Sequence, residues 1–236
     1  MRNPTGVREI ISYYDGLLDK HGDDPQSVGW SSTVSQRRKF FEIAGLFAHE
    51  KLPFTVYDVG CGIGHLHDFL AEINPLARYY GCDINPRMIE MARRRIPPIE
   101  IACRNILRTP PKEKYDYAVA CGTFNTRLKT PRPVWAAYVR DMMRMLYRIA
   151  RKGIAVDFLS SFAEGKLTTE YYQDPSEILD FVQRRLSPLA EIRHSSSPGH
   201  FAVFAYRWLP AESTSRLRGP SLKSRSTIDS FGVNEP

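Results

Sequence analysis

Between Phe54 and Ser160 the chain alternates short apolar runs with longer stretches whose apolar positions recur every three or four residues. Runs of the first kind read as buried strands and those of the second as one-sided helices. Their regular alternation predicts a parallel sheet wrapped by helices on both faces. Five strands are expected, in FTVYDVG, RYYGCDI, IEIACRNI, YDYAVACG and GIAVDFLS. HLHDFLAEI and PRMIEMARRR supply helices after the first two. VWAAYVRDMMRMLYRIA predicts a long helix with Val134, Ala137, Tyr138, Met142, Met145, Leu146 and Ile149 on its buried stripe.

Upstream, QRRKFFEIAGLFAHE places Phe40, Ile43, Ala44 and Phe47 at helical spacing, which predicts one amphipathic helix. Downstream, SFAEGKLTTEYYQ is too polar for a core element and reads as a loop over one sheet edge. A helix restarts in DPSEILDFVQRRL, with Asp174 as N-cap, Pro175 in the first turn and Glu177 three residues after the cap. LAEIRH and FAVFAYRW flank the turn SSSPG and predict a closing antiparallel pair. The fold class expected is α/β: a doubly wound, mostly parallel, seven-stranded Rossmann-like sheet whose last strand is antiparallel. A length of 236 residues and a 42% hydrophobic share suit one core of that size. Residues 210–236, rich in Ser, Arg, Pro and Gly and without apolar periodicity, are expected to form a disordered tail.

YDVGCGIGHL holds the first candidate chemistry. Gly60, Gly62 and Gly64 follow the first strand and Asp58 precedes them. In an open α/β sheet the ligand crevice lies beyond the carboxyl ends of the strands, where strand order reverses. Glycine there lets a ligand approach the backbone closely. A dinucleotide fingerprint needs its third glycine at position 65, but residue 65 is His and the glycine falls one place early. Asp83, 25 residues beyond Asp58, ends the second strand where a carboxylate can accept from both hydroxyls of a ribose. Asn105 ends the third strand, and its amide offers an adenine both a donor and an acceptor.

With these three motifs in this order, the chain resembles the class I S-adenosylmethionine-dependent methyltransferases across residues 50–207. The resemblance implies S-adenosyl-L-methionine as cofactor. It implies that Asp58, Gly60, Cys61, Gly62 and Gly64 lie under the methionine part and Asp83 at the ribose, with Ile84 and Met88 as further cofactor contacts. Asn105 and Ile106 would face the adenine, and Cys121 and Gly122 would complete the cradle. The family's usual residue at position 105 is Asp, so Asn105 is a departure that keeps an acceptor. Among Gln36, Arg37 and Lys39, a cation is expected to hold the cofactor carboxylate or an acidic substrate, and Lys39 is the candidate. Residues 1–50 would form a helical lid and 51–209 the cofactor-binding domain.

A narrower similarity, in HG…VGWSS, CGTFN, GIAVDFLS and YYQDP, points to stand-alone bacterial methyltransferases of natural-product and surface-sugar pathways. It implies a small-molecule acceptor, O-methylation of a biosynthetic intermediate, and substrate contacts from Tyr13, Tyr14, Trp30, Phe124, Asn125, Tyr171 and Tyr172. A hydroxyl acceptor needs proton removal, whereas a carboxylate or phosphonate oxygen needs none. His200, flanking the last turn together with His194, is the candidate base, against the alternative of two surface turn histidines. Arg93, Arg94 and Arg95 are expected to complement a helix C-terminus.

Composition narrows the rivals. The formal net charge of +7 admits a nucleic-acid methyltransferase, but the aromatic segment of base amino-methylating enzymes is replaced by CGTFN and no basic stripe is present. A nicotinamide oxidoreductase lacks its third glycine, and a non-catalytic binding protein would not need intact cofactor motifs. The four cysteines form no C-x-x-C pair and His65-x-His67 has no third ligand in view, so no metal is expected. Without an apolar run of spanning length or a signal-peptide core, no membrane association and a cytoplasmic location are expected. A homodimer is admitted.

Overall fold

The computed structural model describes residues 6–96, 98–197 and 199–208. The tail expected over 210–236 lies outside the described residues. Strands β1 (Phe54–Val59), β2 (Ala77–Asp83), β3 (Glu100–Cys103), β4 (Tyr115–Ala120) and β5 (Ala150–Ser160) are mutually parallel, and β7 (Ala190–Ser197) and β8 (His200–Tyr206) close the sheet. The order is β3-β2-β1-β4-β5-β8-β7, with β8 antiparallel to both of its neighbours. The α/β class and the antiparallel closure are as the pattern predicts.

The strands are buried on both faces because helices cover both, which is why they read as nearly continuous apolar runs. Along β1, Phe54 and Val56 join one core and Tyr57 and Val59 the other. Helices α2 (Thr33–Ala44), α3 (His65–Ile73) and α4 (Pro86–Arg95) supply the first core with Phe40, Leu66, Leu70 and Ile89. The second takes Val139, Met143 and Leu146 of α5 (Arg132–Ile149) and Ile178 and Val182 of α6 (Pro175–Arg185). Asp174 caps α6 by accepting from the Ser176 and Glu177 N–H groups at 2.8 and 3.1 Å. Helix α1 (Val7–His21) and a 3-10 turn, Pro25–Val28, form a third cluster in which Leu18, Tyr14 and Val28 meet Ile63 and Met88, while Ile10 packs against the second core. Among the described residues no helix is long and apolar enough to cross a membrane.

Three expectations are corrected. The segment read as a polar loop contains β6 (Tyr172–Gln173), an eighth strand parallel to β5. Its anchor is a single aromatic, Tyr171, 2% exposed, whose hydroxyl donates to Gln173 Oε1 at 2.5 Å. One buried ring in a polar segment leaves no period to detect. The stripe on α5 is rotated: Val134 is 43% exposed and Ala137 is exposed too, while Trp135, Val139 and Met143 face inward. Third, α2 ends at Ala44, and Leu46 and Phe47 are buried from the turn beyond it. Within residues 1–50, Phe40, Ile43 and Ala44 of α2 belong to the first core and Leu18 of α1 to the third cluster. The α5 register is checked by chemical denaturation: Leu146→Ala is expected to cost about 2–5 kcal/mol, and Val134→Ala less than about 0.5 kcal/mol.

Candidate functional site

Strand order reverses between β2 and β4, the two neighbours of β1, and the loops leaving these strands open a cleft at their carboxyl ends. The cleft encloses about 1150 Å³ including its open mouth. Its floor is the glycine loop. Gly60 and Cys61 donate their N–H groups to the Cys82 carbonyl at 2.8 and 3.1 Å, which pins the loop to the end of β2. Gly60 has φ +77°, and a Cβ there would stand 2.5 Å from Thr123 Cγ2. At Gly62, with φ +54°, a Cβ would stand 2.8 Å from Val28 Cγ1. The missing side chains thus let the β4 loop and the 3-10 turn come down onto the floor of the cleft.

Asp58 sits below the loop, 3% exposed. Its Oδ2 accepts from the Tyr79 hydroxyl at 2.7 Å, while Oδ1 is buried on the cleft wall with no partner among the described residues. Burial, opposed by the Tyr79 hydroxyl and assisted by the nearby Asp83 charge, pushes its carboxyl up to about 7. A buried acceptor left unanswered is costly. It fits a cationic donor held in the cleft. Asp83 is pushed up by burial and pulled back by N–H groups: Asn85 donates to Oδ1 at 2.8 Å and Gly62 to Oδ2 at 2.9 Å. Each oxygen keeps further accepting capacity for a pair of hydroxyls. Asn105 lines the cleft too, with its Oδ1 accepting from Leu107 N–H at 3.0 Å.

Thirteen expected residues meet on this wall: Asp58, Gly60, Cys61, Gly62, Asp83, Ile84, Met88, Asn105, Ile106, Cys121 and Gly122, with Tyr14 and Trp30. Gly64 lies behind the floor, where a Cβ would press on Ile96 Cδ1. Lys39 is turned away: it is 4% exposed and pairs with Glu42 at 3.3 Å, three residues on, because a desolvated ammonium needs a counter-charge. Arg37 pairs with Glu72 on the outer face. Gln36 faces the cleft instead and contacts His65 Nδ1 at 3.0 Å. Arg95 does more than complement a helix end, joining Asp68 at 2.7 Å, Asp23 at 2.5 Å and the Ile63 carbonyl at 2.9 Å.

His200, expected as the base, does not line the cleft. It faces Leu159 in the β5–β8 ladder, its Nδ1 is buried with no partner among the described residues, and burial together with the Lys39 charge pushes it down to about 4. The imidazole is neutral at physiological pH but out of place. His194 is exposed beside Phe162. The other expected substrate contacts also fall elsewhere. Tyr13 is 42% exposed; Phe124 and Tyr171 are core residues. Asn125 binds β5, accepting from Leu159 N–H at 3.1 Å and donating to Asp157 at 3.5 Å. Tyr172 donates to Glu170 and accepts from Leu167 N–H at 3.0 Å. Val7, Ile10, Ile11, Val28, Gln36, His65, Arg104, Thr123, Trp135, Tyr138 and Met142 line the cleft without having been expected there. The i, i+3, i+4, i+7 spacing of Val7, Ile10, Ile11 and Tyr14 was a readable signal. Among the described residues, no three His, Cys, Asp or Glu side chains gather as a metal site.

Comparison with known proteins adds independent findings. A family model described as a methyltransferase domain matches residues 56–148. The chain is 31% identical over 156 residues to "Putative methyltransferase Rv1506c" of Mycobacterium tuberculosis, a match spanning 64% of this chain and 92% of that protein. It is 41% identical over 76 residues to the malonyl-[acyl-carrier protein] O-methyltransferase of Acetivibrio thermocellus, spanning 31% of this chain and 27% of that one. The crystal structure of magnesium protoporphyrin IX methyltransferase from Synechocystis PCC 6803 with bound S-adenosylmethionine superposes with a TM-score of 0.61 at 19% identity, covering 88% of this chain and 98% of the other. At that identity the likeness is one of fold.

Proposed function

Because the chain belongs to the class I S-adenosylmethionine-dependent methyltransferases, we propose that it methylates an oxygen of a small biosynthetic intermediate, a natural product or a sugar, beneath a lid formed by α1 and the turn that follows it. The observation that carries this reading is the cover over the cleft. Val7, Ile10, Tyr14, Val28 and Trp30, all N-terminal to the sheet, form part of its wall, so an acceptor has to fit under helices rather than lie on an open surface.

The residues fit the cofactor. Asp58 Oδ1 would accept from its ammonium, Asp83 from its ribose hydroxyls, and Asn105 would stand at its adenine. When bound, the cofactor supplies a methyl group on a sulfonium, already activated for in-line displacement. The chain's part is to align the acceptor and exclude water. Cys61, Cys82 and Cys121, whose thiols burial pushes up, stay protonated and contribute apolar wall. The imidazole on the wall is that of His65, pushed down by burial and tied to Gln36 and to Asp23 at 3.4 Å. With His200 away from the cleft, the acceptor oxygen that suits this site arrives ionised, as a carboxylate, phosphonate or acidic hydroxyl carried by such a natural product or sugar, and needs no base.

Transfer of labelled methyl to a panel of carboxylic acids, phosphonates, sugars, amines and tRNA tests the reading: label on acidic oxygens is expected, and transfer to amines or tRNA alone would overturn it. In the same assay His200→Ala should keep its rate within about threefold, since removing a true general base costs about 10²-fold or more.

Asp58 predicts the pH dependence. Its folded value of about 7 lies above the ordinary 3.8, so the fold favours the protonated form. Its contribution to stability is therefore lost as pH rises through that window. An ammonium needs the ionised form. Affinity for S-adenosylhomocysteine, followed by calorimetry, is expected to rise by up to about tenfold per pH unit below pH about 7 and level off above it. Asp58→Asn should flatten the profile.

A further inference from the structure

All the hydrogen-bonding groups of Asn85 are engaged, and their partners lie on separate parts of the fold. The residue is 2% exposed. Its N–H donates to Asp83 Oδ1 at 2.8 Å. Its Oδ1 accepts from the Arg87 and Met88 N–H groups at 2.8 and 3.3 Å and caps α4, and its carbonyl accepts from Ile89 N–H at 3.3 Å. Its Nδ2 donates to Asp15 Oδ1 at 2.8 Å and to the Ile11 carbonyl at 3.5 Å, both on α1. Capping alone does not call for an amide, since Asp or Ser caps a helix as well as Asn. Only an amide caps with its oxygen and still donates from its nitrogen.

The nitrogen serves a row of acids facing α4. Asp15 and Asp19 stand four apart on one face of α1, and Asp23 continues the row beyond its end. Asp19 takes the Arg87 guanidinium, with Nη1 to Oδ2 at 3.3 Å, and Asp23 takes Arg95 Nε at 2.5 Å. Asp19, Asp23 and Arg87 are exposed, and pairs of that kind contribute little. The weight falls on Asn85 and Asp15. The same helix turns Ile11 and Tyr14 into the cleft.

We propose that Asn85 is a positioning residue that couples cofactor binding to the seating of α1. Through its N–H it fixes the Asp83 carboxylate, and through its amide it holds the helix that covers the cleft. Whatever tightens one grip tightens the other, because coupling between sites is reciprocal. The inference rests on the reading that Asp83 holds the ribose.

Asn85→Asp keeps the cap but sets a carboxylate against Asp15, and adding Asp15→Asn rebuilds the pair with donor and acceptor exchanged. The readouts are the dissociation rate of S-adenosylhomocysteine and the hydrogen-exchange protection of residues 7–21 that this ligand induces. Asn85→Asp is expected to speed release about tenfold or more and to abolish the induced protection, a size typical of coupled sites. The double variant should return both to near wild type, and Asp15→Ala, which leaves the cap untouched, should show the loss in smaller measure. Wild-type release in Asn85→Asp, or a double variant no better than the single one, would overturn the proposal. Asp83→Ala separates the two readings. Undiminished affinity in that variant removes the ribose assignment and this inference with it; lost affinity beside an unaffected Asn85→Asp removes this inference alone.

Discussion

The burial of Asp58 at the carboxyl end of β1 is the constraint on which the site depends. A carboxylate can stay in a nearly waterless strand end only if its oxygens are answered. Tyr79 from β2 answers one and the fold leaves the other facing the cleft. The sheet holds that acceptor oxygen in a fixed place. The strand has to be central to bury the acid, and the loop after it has to be free of side chains for a ligand to reach the acid. The helices on both faces have to exclude water for the interaction to be strong. The cores that cover β1 thus support the binding chemistry as well as stability.

The second acid is held in a contrasting way. Asp83 is surrounded by N–H donors, from Gly62 on the floor and Asn85 at the start of α4, and so keeps a fixed orientation toward the hydroxyls it would accept. One carboxylate is exacting because it lacks a partner and the other because its partners fix it. In the proposed reading Asp58 would take the cationic end of the cofactor and Asp83 its sugar. The covering helix α1 is fastened beside the second.

Much of this was legible in the sequence because it rests on local rules. Strand ends, the one-place shift of the third glycine to Gly64, the cap at Asp174 and the acid ending β2 are all set by near neighbours along the chain. What the sequence did not disclose depends on distant groups. Lys39 was expected to hold the cofactor carboxylate, but the sheet against which α2 packs buries it beside Glu42, and the sequence does not say which face of α2 is inward. His200 flanks a turn, as expected, but the β5–β8 ladder turns it away from the cleft. Tyr171 and Phe124 read as ligand-facing aromatics and are core, a difference set by the packing of α5 against the β4 loop, where Trp135 Nε1 donates to the Phe124 carbonyl at 2.9 Å. Asn85 gave no signal in the sequence, since the partner of its amide nitrogen lies 70 residues away.

The central claim is that one unanswered oxygen and one fixed carboxylate locate the cofactor. A crystal structure of the complex with S-adenosylhomocysteine tests it most directly. The account predicts the ligand's ammonium within hydrogen-bond distance of Asp58 Oδ1 and its two ribose hydroxyls on Asp83. A ligand seated elsewhere, or one that leaves Asp58 Oδ1 without a partner, would contradict it.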